Sequence, residues 1–296
     1  MTHQILIGDR AYSSWSLRGW LLFHAFGLPV EEHRTKMYSD DFARDLEAWA
    51  PARTVPTVRT PEGGLLSDSL AIAEHLAETF PEAGHWPREA KARALARSIA
   101  AEMHSGFTAL RGACPMNLRV KWEGFEASEA VAADLARLSR LWTLARGMAG
   151  QAANGGPWLF GAYGAVDAFM APVAMRIAGY GLATDDVMAP YVDAHLHHLP
   201  LRRWRAMGEA RNRTLHEYDM DLATGRFPMP RPIAAEAVAN GPSANAACPY
   251  SGLPVTHFLK VDGRIWGFCN AFCRDKTMHD PEAWPAFMAL LDKPAR

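Results

Sequence analysis

The chain has 296 residues, 49% of them hydrophobic, which is enough for two or three domains with cores of their own. Its 31 Lys and Arg nearly balance its 32 Asp and Glu, and the net charge of -1 disfavours nucleic acid and anionic membranes as partners. The first residues, MTHQILIGDR, lack the basic and apolar regions of a secretory signal, and no apolar run approaches the roughly 18 residues of a membrane span. We therefore expect a cytoplasmic protein.

The first predicted domain, residues 1–82, alternates short apolar runs with helical patterns. QILIG predicts a strand, SLRGWLLFHAFGL a helix, EEHRTKM a second strand and DDFARDLEAWAP a second helix. VPTVRT and LLSD then predict two strands joined by a tight turn at residues 62–64, and SLAIAEHLAETF predicts a third helix. The order is β-α-β-α-β-β-α, typical of an α/β domain.

The rest of the chain divides into three further segments. Residues 88–222 consist of Ala- and Leu-rich stretches of helical period and predict an all-α domain of four or five helices. Residues 223–246 are rich in Pro, Ala, Gly and Asn and predict a linker. Residues 247–292 form a small Cys-bearing extension at the end.

Hydroxyl groups are concentrated where the first predicted strand meets the first helix. Tyr12, Ser13 and Ser14 lie together at this turn. A serine N-cap is worth about 1 kcal/mol, but one cap needs one serine. The additional hydroxyls therefore predict a second role at this turn.

Two other features of the first domain fit a ligand with a peptide backbone and an amino-acid head group. The dipeptide Val55-Pro56 opens the third strand, where the backbone of Val55 is expected to pair with an extended peptide. At the start of the third helix, backbone N–H groups and the Ser69 hydroxyl suit a carboxylate, while Asp68 suits an α-ammonium group.

In this order and spacing, these features resemble the glutathione S-transferase family, in its serine-type, bacterial-like form, over roughly residues 3–220. The resemblance implies a thioredoxin-like domain followed by a helical-bundle domain, with glutathione as co-substrate. It also implies a homodimer that detoxifies small electrophiles. The residues that would hold glutathione are Arg18, Val55, Pro56, Asp68 and Ser69.

In serine-type members, a hydroxyl at the end of the first strand donates to the glutathione sulfur. Aligning the arginine of the first helix with Arg18 places this role on Ser13, with Ser14 and Tyr12 as its neighbours. Lowering a thiol pKa by about 2 requires roughly 2.7 kcal/mol of preference for the thiolate. A hydrogen bond to a charged group supplies about 1.5–3 kcal/mol and a helix N-terminus up to about 1, so the two together suffice.

The segment MHSGFTALRGACPMNLR would face the substrate cleft in this fold. His104, Arg111 and Asn117 are candidates for contacting an anionic group of the electrophile, although solvated helix faces also explain such residues.

Three functions are compatible with these residues. The first is conjugation of the glutathione thiolate to electrophiles. The second is a glutathione-dependent isomerase of the maleylacetoacetate type, whose SSC turn followed by arginine is similar to YSSWSLR, with Trp15 here in place of the cysteine. The third is a non-catalytic glutathione- or metal-responsive binding protein.

The extension carries Cys248, Cys269 and Cys273, and their spacing resembles the small metal-associated YHS and TRASH domains. So short a segment buries little apolar surface, and a metal held by thiolates is one way to stabilise it. We expect one zinc bound by these cysteines, with water, His257 or His279 as the fourth ligand. The alternative is a degenerate, metal-free fold.

Overall fold

The computed structural model describes residues 2–149 and 156–292. Its first domain has the element order that the sequence predicts. The elements are β1 (His3–Ile7), α1 (Ser14–His24), β2 (Val30–Arg34), α2 (Asp40–Glu47), β3 (Thr57–Arg59), β4 (Leu65–Leu66) and α3 (Ser69–Thr79). The sheet order is β2-β1-β3-β4, with β1 parallel to β2 and antiparallel to β3, and β3 antiparallel to β4. This mixed sheet confirms the thioredoxin-like fold.

Strand β1 is buried on both of its faces, which explains why its sequence is a continuous apolar run. Ile5, Leu6 and Ile7 are each at most 2% exposed, as expected of a central strand covered on two sides. Helix α1 lies close to Pro56, because a Cβ at Gly19 would stand 2.7 Å from the Cγ of that proline. A glycine is therefore required for this approach.

The middle of the chain is mostly helical, as the sequence predicts, but the described part has six helices rather than four or five and also contains a strand at Val120–Glu123. Its helices are α4 (Ala90–Ser105), α5 (Thr108–Ala113), α6 (Glu129–Ala149), α7 (Ala165–Tyr180), α8 (Met188–His197) and α9 (Leu199–Arg211). The last predicted helix is broken into α8 and α9 at His198, whose backbone is extended before Pro200. None of the described helices is sufficiently long and apolar to cross a membrane.

Helix α7 is buried around almost its whole circumference, and its N-terminus encloses a buried carboxyl group. Asp167 accepts hydrogen bonds from the backbone N–H groups of Gly164 (2.8 Å) and Leu159 (3.2 Å) and from the Tyr191 hydroxyl (2.7 Å). Burial outweighs these bonds and raises the pKa of Asp167 to about 6.

The chain forms two compact units. The first unit comprises Met1–Leu196 and Leu215–Pro228, and the second comprises His197–Thr214 and Met229–Arg296. In the first unit, β5 (Val120–Glu123) pairs antiparallel with β6 (Ala223–Arg226). The predicted linker therefore begins with a strand of the first unit.

The second unit packs α9 with the Cys-bearing extension. Its strands β7 (Ala235–Val238), β8 (His257–Val261) and β9 (Arg264–Phe268) form an antiparallel sheet, followed by α10 (Ala271–His279) and α11 (Pro285–Leu291). Arg202 on α9 donates two hydrogen bonds to Asp280, of 2.8 and 2.7 Å. The division into two compact units does not follow the predicted domain boundaries at residues 222 and 246. Those boundaries remain predictions.

Candidate functional site

A cavity of about 840 Å³ opens in the first unit beside the turn between β1 and α1. This volume is typical of a small-molecule site. Its wall combines apolar side chains with hydroxyl and guanidinium groups. Among its lining residues are Tyr12, Ser13, Ser14, Trp15, Met37, Phe42, Val55, Arg111, Met116, Arg176, Glu217 and Tyr218.

Ser13 is the N-cap of α1 and is part of a chain of hydrogen bonds. Its Oγ accepts from the backbone N–H of Ser16 (3.3 Å), and its hydroxyl donates to the Oγ of Ser16 (2.8 Å). The Oγ of Ser16 in turn accepts from the backbone N–H of Gly8 (3.0 Å). Ser13 is 5% exposed and Ser16 is fully buried. The buried Ser16 therefore holds the side chain of Ser13 in place through these hydrogen bonds.

The two residues flanking Ser13 are also held on the cavity wall. The Oγ of Ser14 accepts from Nη2 of Arg176 at 3.5 Å. Tyr12 is buried, with its ring centroid 5.0 Å from that of Tyr218. The structure therefore brings all three candidate residues of this turn to the wall of one cavity.

Of the five predicted glutathione-binding residues, Val55 is a lining residue of this cavity, and Arg18, Pro56, Asp68 and Ser69 are not. The Val55-Pro56 peptide bond is cis. Pro56 is buried. Asp68 is the N-cap of α3, and its Oδ1 accepts from the backbone N–H of Leu70 (2.7 Å). The adjacent Ser69 hydroxyl is buried and has no hydrogen-bond partner within the described part of the chain.

The predicted Arg18 is almost completely buried on α1. Its guanidinium carbon lies 3.8 Å from the ring centroid of Trp15 and 5.3 Å from that of Phe169. Nε and Nη1 have no hydrogen-bond partner among the residues described. Burial, together with the positive charges of Arg111 and Arg176, lowers the pKa of Arg18 to about 9.

Of the three residues predicted to contact the electrophile, Arg111 lines the cavity. Its Nη1 donates to the backbone carbonyls of His104 (3.2 Å) and Gly106 (3.1 Å). The Nε2 of His104 instead lies 3.3 Å from the Oδ2 of Asp68. Asn117 is buried, and its Oδ1 accepts from a backbone N–H. The role predicted for these three residues remains a prediction.

Arg176 is a cavity residue that the sequence analysis missed. It lies on α7, where almost all other side chains are apolar and buried. A single arginine within such a helix is itself a signal, because a buried charge requires a partner or a function.

The three cysteines of the second unit lie together. The Sγ atoms of Cys248, Cys269 and Cys273 are within 4.8 Å of one another, a group that includes neither His257 nor His279. The hydroxyl of Ser251 donates to Sγ of Cys269 at 3.2 Å. Such a cluster of thiols has the donor chemistry of a zinc site.

The thiols of this cluster differ in acidity. Burial raises the pKa of Cys273 to about 12. Burial has the same effect on Cys248, but the hydrogen bonds to its sulfur from the backbone N–H groups of Cys269, Tyr250 and Ser251 outweigh it and lower its pKa to about 7. A thiolate at Cys248 is the form that binds a metal.

Residues 12–79 match the family model described as "Glutathione S-transferase, N-terminal domain". No curated protein matches the chain. Among solved structures, a glutathione transferase homolog from Burkholderia gl BGR1, with bound glutathione, is similar with a TM-score of 0.52 and 20% identity. The match covers 71% of this chain and 99% of that chain.

Two glutathione transferases from Trametes versicolor are also similar. Omega 3C has a TM-score of 0.50 and 17% identity, with 69% of this chain and 88% of that chain covered. Omega 2S, in complex with 2,4-dihydroxybenzophenone, has a TM-score of 0.50 and 18% identity, with 72% and 97% covered. The chain thus has the glutathione transferase fold.

Proposed function

We propose that the first unit is a glutathione transferase in which Ser13 stabilises the glutathione thiolate for attack on a small electrophile. The observation that carries this proposal is the position of Ser13, at the N-terminus of α1 on the wall of the cavity. The match of residues 12–79 and the shared fold support it. The proposal includes a cytoplasmic homodimer and a role in detoxification, as the family resemblance implies.

Val55 on the cavity wall and the residues at the start of α3 have the chemistry to hold glutathione in an extended conformation. The backbone of Val55 is proposed to pair with the cysteinyl residue. The unpartnered hydroxyl of Ser69 and the N–H groups at the start of α3 are proposed to bind the γ-glutamyl carboxylate, near the buried charge of Arg18. Asp68 already caps α3 through Oδ1, which leaves Oδ2, beside His104, for the α-ammonium group.

The pair of Ser13 and Ser16 explains how the Ser13 hydroxyl can donate a hydrogen bond to the sulfur. The Ser16 hydroxyl can rotate to donate to Ser13 Oγ while its own oxygen still accepts from Gly8 N–H, and the Ser13 proton is then free to bond the thiolate. The thiol proton leaves to solvent. The sulfur lone pair forms the new bond to the electrophilic carbon, and the leaving group departs with its bonding electrons.

Ser13→Ala tests this mechanism. The loss of one hydrogen bond to a charged sulfur predicts a fall in kcat/KM of about 10- to 100-fold at pH 7. The pH–rate profile should shift to higher pH, because the bound thiol becomes less acidic, while glutathione affinity measured by calorimetry changes less. Ser14→Ala is the matched control. If Ser13→Ala is fully active and Ser14→Ala is inactive, the role belongs to Ser14.

We propose a second function for the second unit, the binding of one zinc ion by Cys248, Cys269 and Cys273. The observation is the proximity of their three sulfur atoms. The charge of bound zinc favours thiolates over thiols at all three positions. Because neither His257 nor His279 belongs to the cluster, water is the fourth ligand in this proposal.

Metal analysis of protein purified without chelator tests the zinc site. We expect one zinc per chain in the wild type and in Cys114→Ser, which removes the single cysteine of the first unit. Cys273→Ser should contain none. Conjugation should survive in Cys273→Ser, since Ser13, Val55 and Ser69 belong to the first unit. A wild-type protein without zinc would refute the site.

A further inference from the structure

Arg176 carries a buried positive charge, and no carboxylate in the described part of the chain pairs with it. It is 5% exposed. Its guanidinium donates to the carbonyls of Cys114 (Nε, 2.8 Å) and Pro172 (Nη1, 3.2 Å), and Nη2 reaches only the Oγ of Ser14, at 3.5 Å. Within the described residues, no ion pair neutralises it. Buried charges in proteins are normally paired, because the effective cost of removing an ion from water is several kcal/mol.

A second arginine on the same cavity wall increases this unbalanced charge. Arg111 is partly buried, and its guanidinium carbon lies 5.2 Å from the ring centroid of Trp15. Its guanidinium donates hydrogen bonds to two backbone carbonyls. Burial, followed by the charge of Arg111, lowers the pKa of Arg176 to about 10. The one carboxylate among the lining residues named above is Glu217, which is exposed and, in the structure as described, forms no salt bridge with either arginine.

We propose that this cavity selects electrophiles that carry a carboxylate group, which Arg176 and Arg111 bind. The inference rests on the proposed glutathione function, since it names the second substrate of that site. The planar guanidinium fork matches the two oxygens of a carboxylate, and such charge-assisted pairs are strong inside a cavity. The apolar side chains of Trp15, Phe42 and Met116 contact the remainder of the substrate.

The same contacts place the anion near the reaction. Arg176 touches Ser14, the neighbour of Ser13 in the chain. A carboxylate held by Arg176 therefore lies on the side of the cavity where the thiolate is proposed to bind. Binding the carboxylate then orients the rest of the electrophile toward the sulfur, which is a gain in proximity rather than a chemical step.

The test uses two electrophiles with the same ring and leaving group, one an anionic carboxylate and the other its neutral methyl ester. These are 4-chloro-3,5-dinitrobenzoate and its methyl ester. In both, the glutathione sulfur forms a bond to the ring carbon that carries chlorine, and chloride leaves with the bonding electrons. Each kcat/KM is divided by the uncatalysed rate constant with glutathione, because the ester is intrinsically more reactive. We expect the wild type to favour the carboxylate by about tenfold or more.

Arg176→Gln should lose about tenfold or more in kcat/KM on the carboxylate and less than about threefold on the ester. Arg111→Gln should act in the same direction and serves as the second variant if Arg176→Gln does not fold, as judged by circular dichroism. Arg88→Gln, on the exposed surface, removes the same charge and should keep the wild-type preference. Equal losses on both substrates, or a wild type that prefers the ester, would overturn the proposal.

Benzoate binding separates this proposal from the glutathione function. Calorimetric titrations with benzoate and benzamide need neither glutathione nor turnover. Selective binding of benzoate that Arg176→Gln abolishes supports the anion site, even if glutathione does not bind and the transferase function fails. Equal or absent binding of benzoate and benzamide, together with glutathione turnover, leaves the transferase function in place and refutes the carboxylate site.

Discussion

Arg202 in the second unit and Arg176 in the first are both buried, but their positive charges have opposite surroundings. In the second unit, Arg202 makes two hydrogen bonds to Asp280, and both side chains are about 10% exposed. In the first unit, Arg176 is held by backbone carbonyls and a serine. The pKa values follow this difference: the Asp280 hydrogen bonds raise the pKa of Arg202, and burial lowers that of Arg176.

Arg202 has a structural role because its charge is paired within the second unit, whereas the charge of Arg176 faces a cavity and is available to a ligand. Arg202 has its carboxylate within the protein and connects α9 to the end of α10. Arg176 lines a cavity large enough for a small molecule, and no carboxylate of the described residues forms an ion pair with it, so we propose a ligand carboxylate as its partner. A buried cation next to a cavity is therefore informative when none of the described carboxylates pairs with it.

The largest effect is expected from breaking the internal pair. Asp280→Asn leaves Arg202 buried opposite a neutral side chain, and the loss of one partner of a buried ion pair costs about 3–5 kcal/mol. Glu282, 3.7 Å from Arg202, reduces the loss toward the lower end of that range. Urea unfolding followed by tryptophan fluorescence measures it.

The control for Asp280→Asn replaces both partners with apolar residues, Arg202→Met with Asp280→Leu. This double variant should recover most of the lost stability, because no uncompensated charge remains. An Asp280→Asn protein as stable as the wild type would mean that the second unit does not depend on this pair.

An intermediate effect is expected from Asp167, a buried carboxyl group whose pKa is raised to about 6 by burial. Its value in an unfolded chain is about 4. The folded state thus binds the proton more tightly, so this contribution to stability is fully present below about pH 4 and is lost as pH rises through about 6. Unfolding free energies measured across this range should fall with rising pH.

Asp167→Asn should remove this slope, because its side chain does not ionise. It should also lower stability at pH 4, because Gly164 and Leu159 N–H donate to different carboxyl oxygens and the amide NH2 group that replaces one of these oxygens cannot accept a hydrogen bond. Asp185→Asn, at a nearly fully exposed carboxyl, is the comparison variant. A slope that persists unchanged in Asp167→Asn would assign the pH dependence to other groups.

The smallest effect is expected from an exposed pair. Glu102 accepts two hydrogen bonds from Arg137, of 2.7 and 2.9 Å, with geometry close to that of Arg202 and Asp280. Because water screens it, Glu102→Gln should change stability by at most about 1 kcal/mol. The same urea titration measures this value, and a loss as large as that of Asp280→Asn would show that burial is not the deciding variable.

The parts of the site that depend on local sequence were predictable. The order of strands and helices up to α3 follows from periodicity, and the serine turn and the SDS start of α3 follow from capping chemistry. Ser13 and Asp68 do act as N-caps in the structure. These features are decided by residues close together in the chain.

What the sequence did not reveal depends on residues distant in the chain. Arg176 meets Ser14 across the first unit, and neither residue carries a local signal of that contact. The pairing of β5 with β6, and of α9 with α10, likewise joins segments separated by long intervening stretches. Pro200 was a local signal for the helix break at His198. The sequence on both sides of it has a helical period, however, and the prediction therefore gave one continuous helix.

The grouping of α9 with the C-terminal extension has a consequence for synthesis on the ribosome. Helix α9 is translated before Leu215–Pro228, which belongs to the first unit, and its partner α10 follows only after Ala271 has been added. A nascent chain that has completed the first unit therefore still presents an unpaired Arg202 and the uncovered face of α9. Release of an incomplete chain, for example one ending after Asn240, would leave that face open to aggregation or to a chaperone.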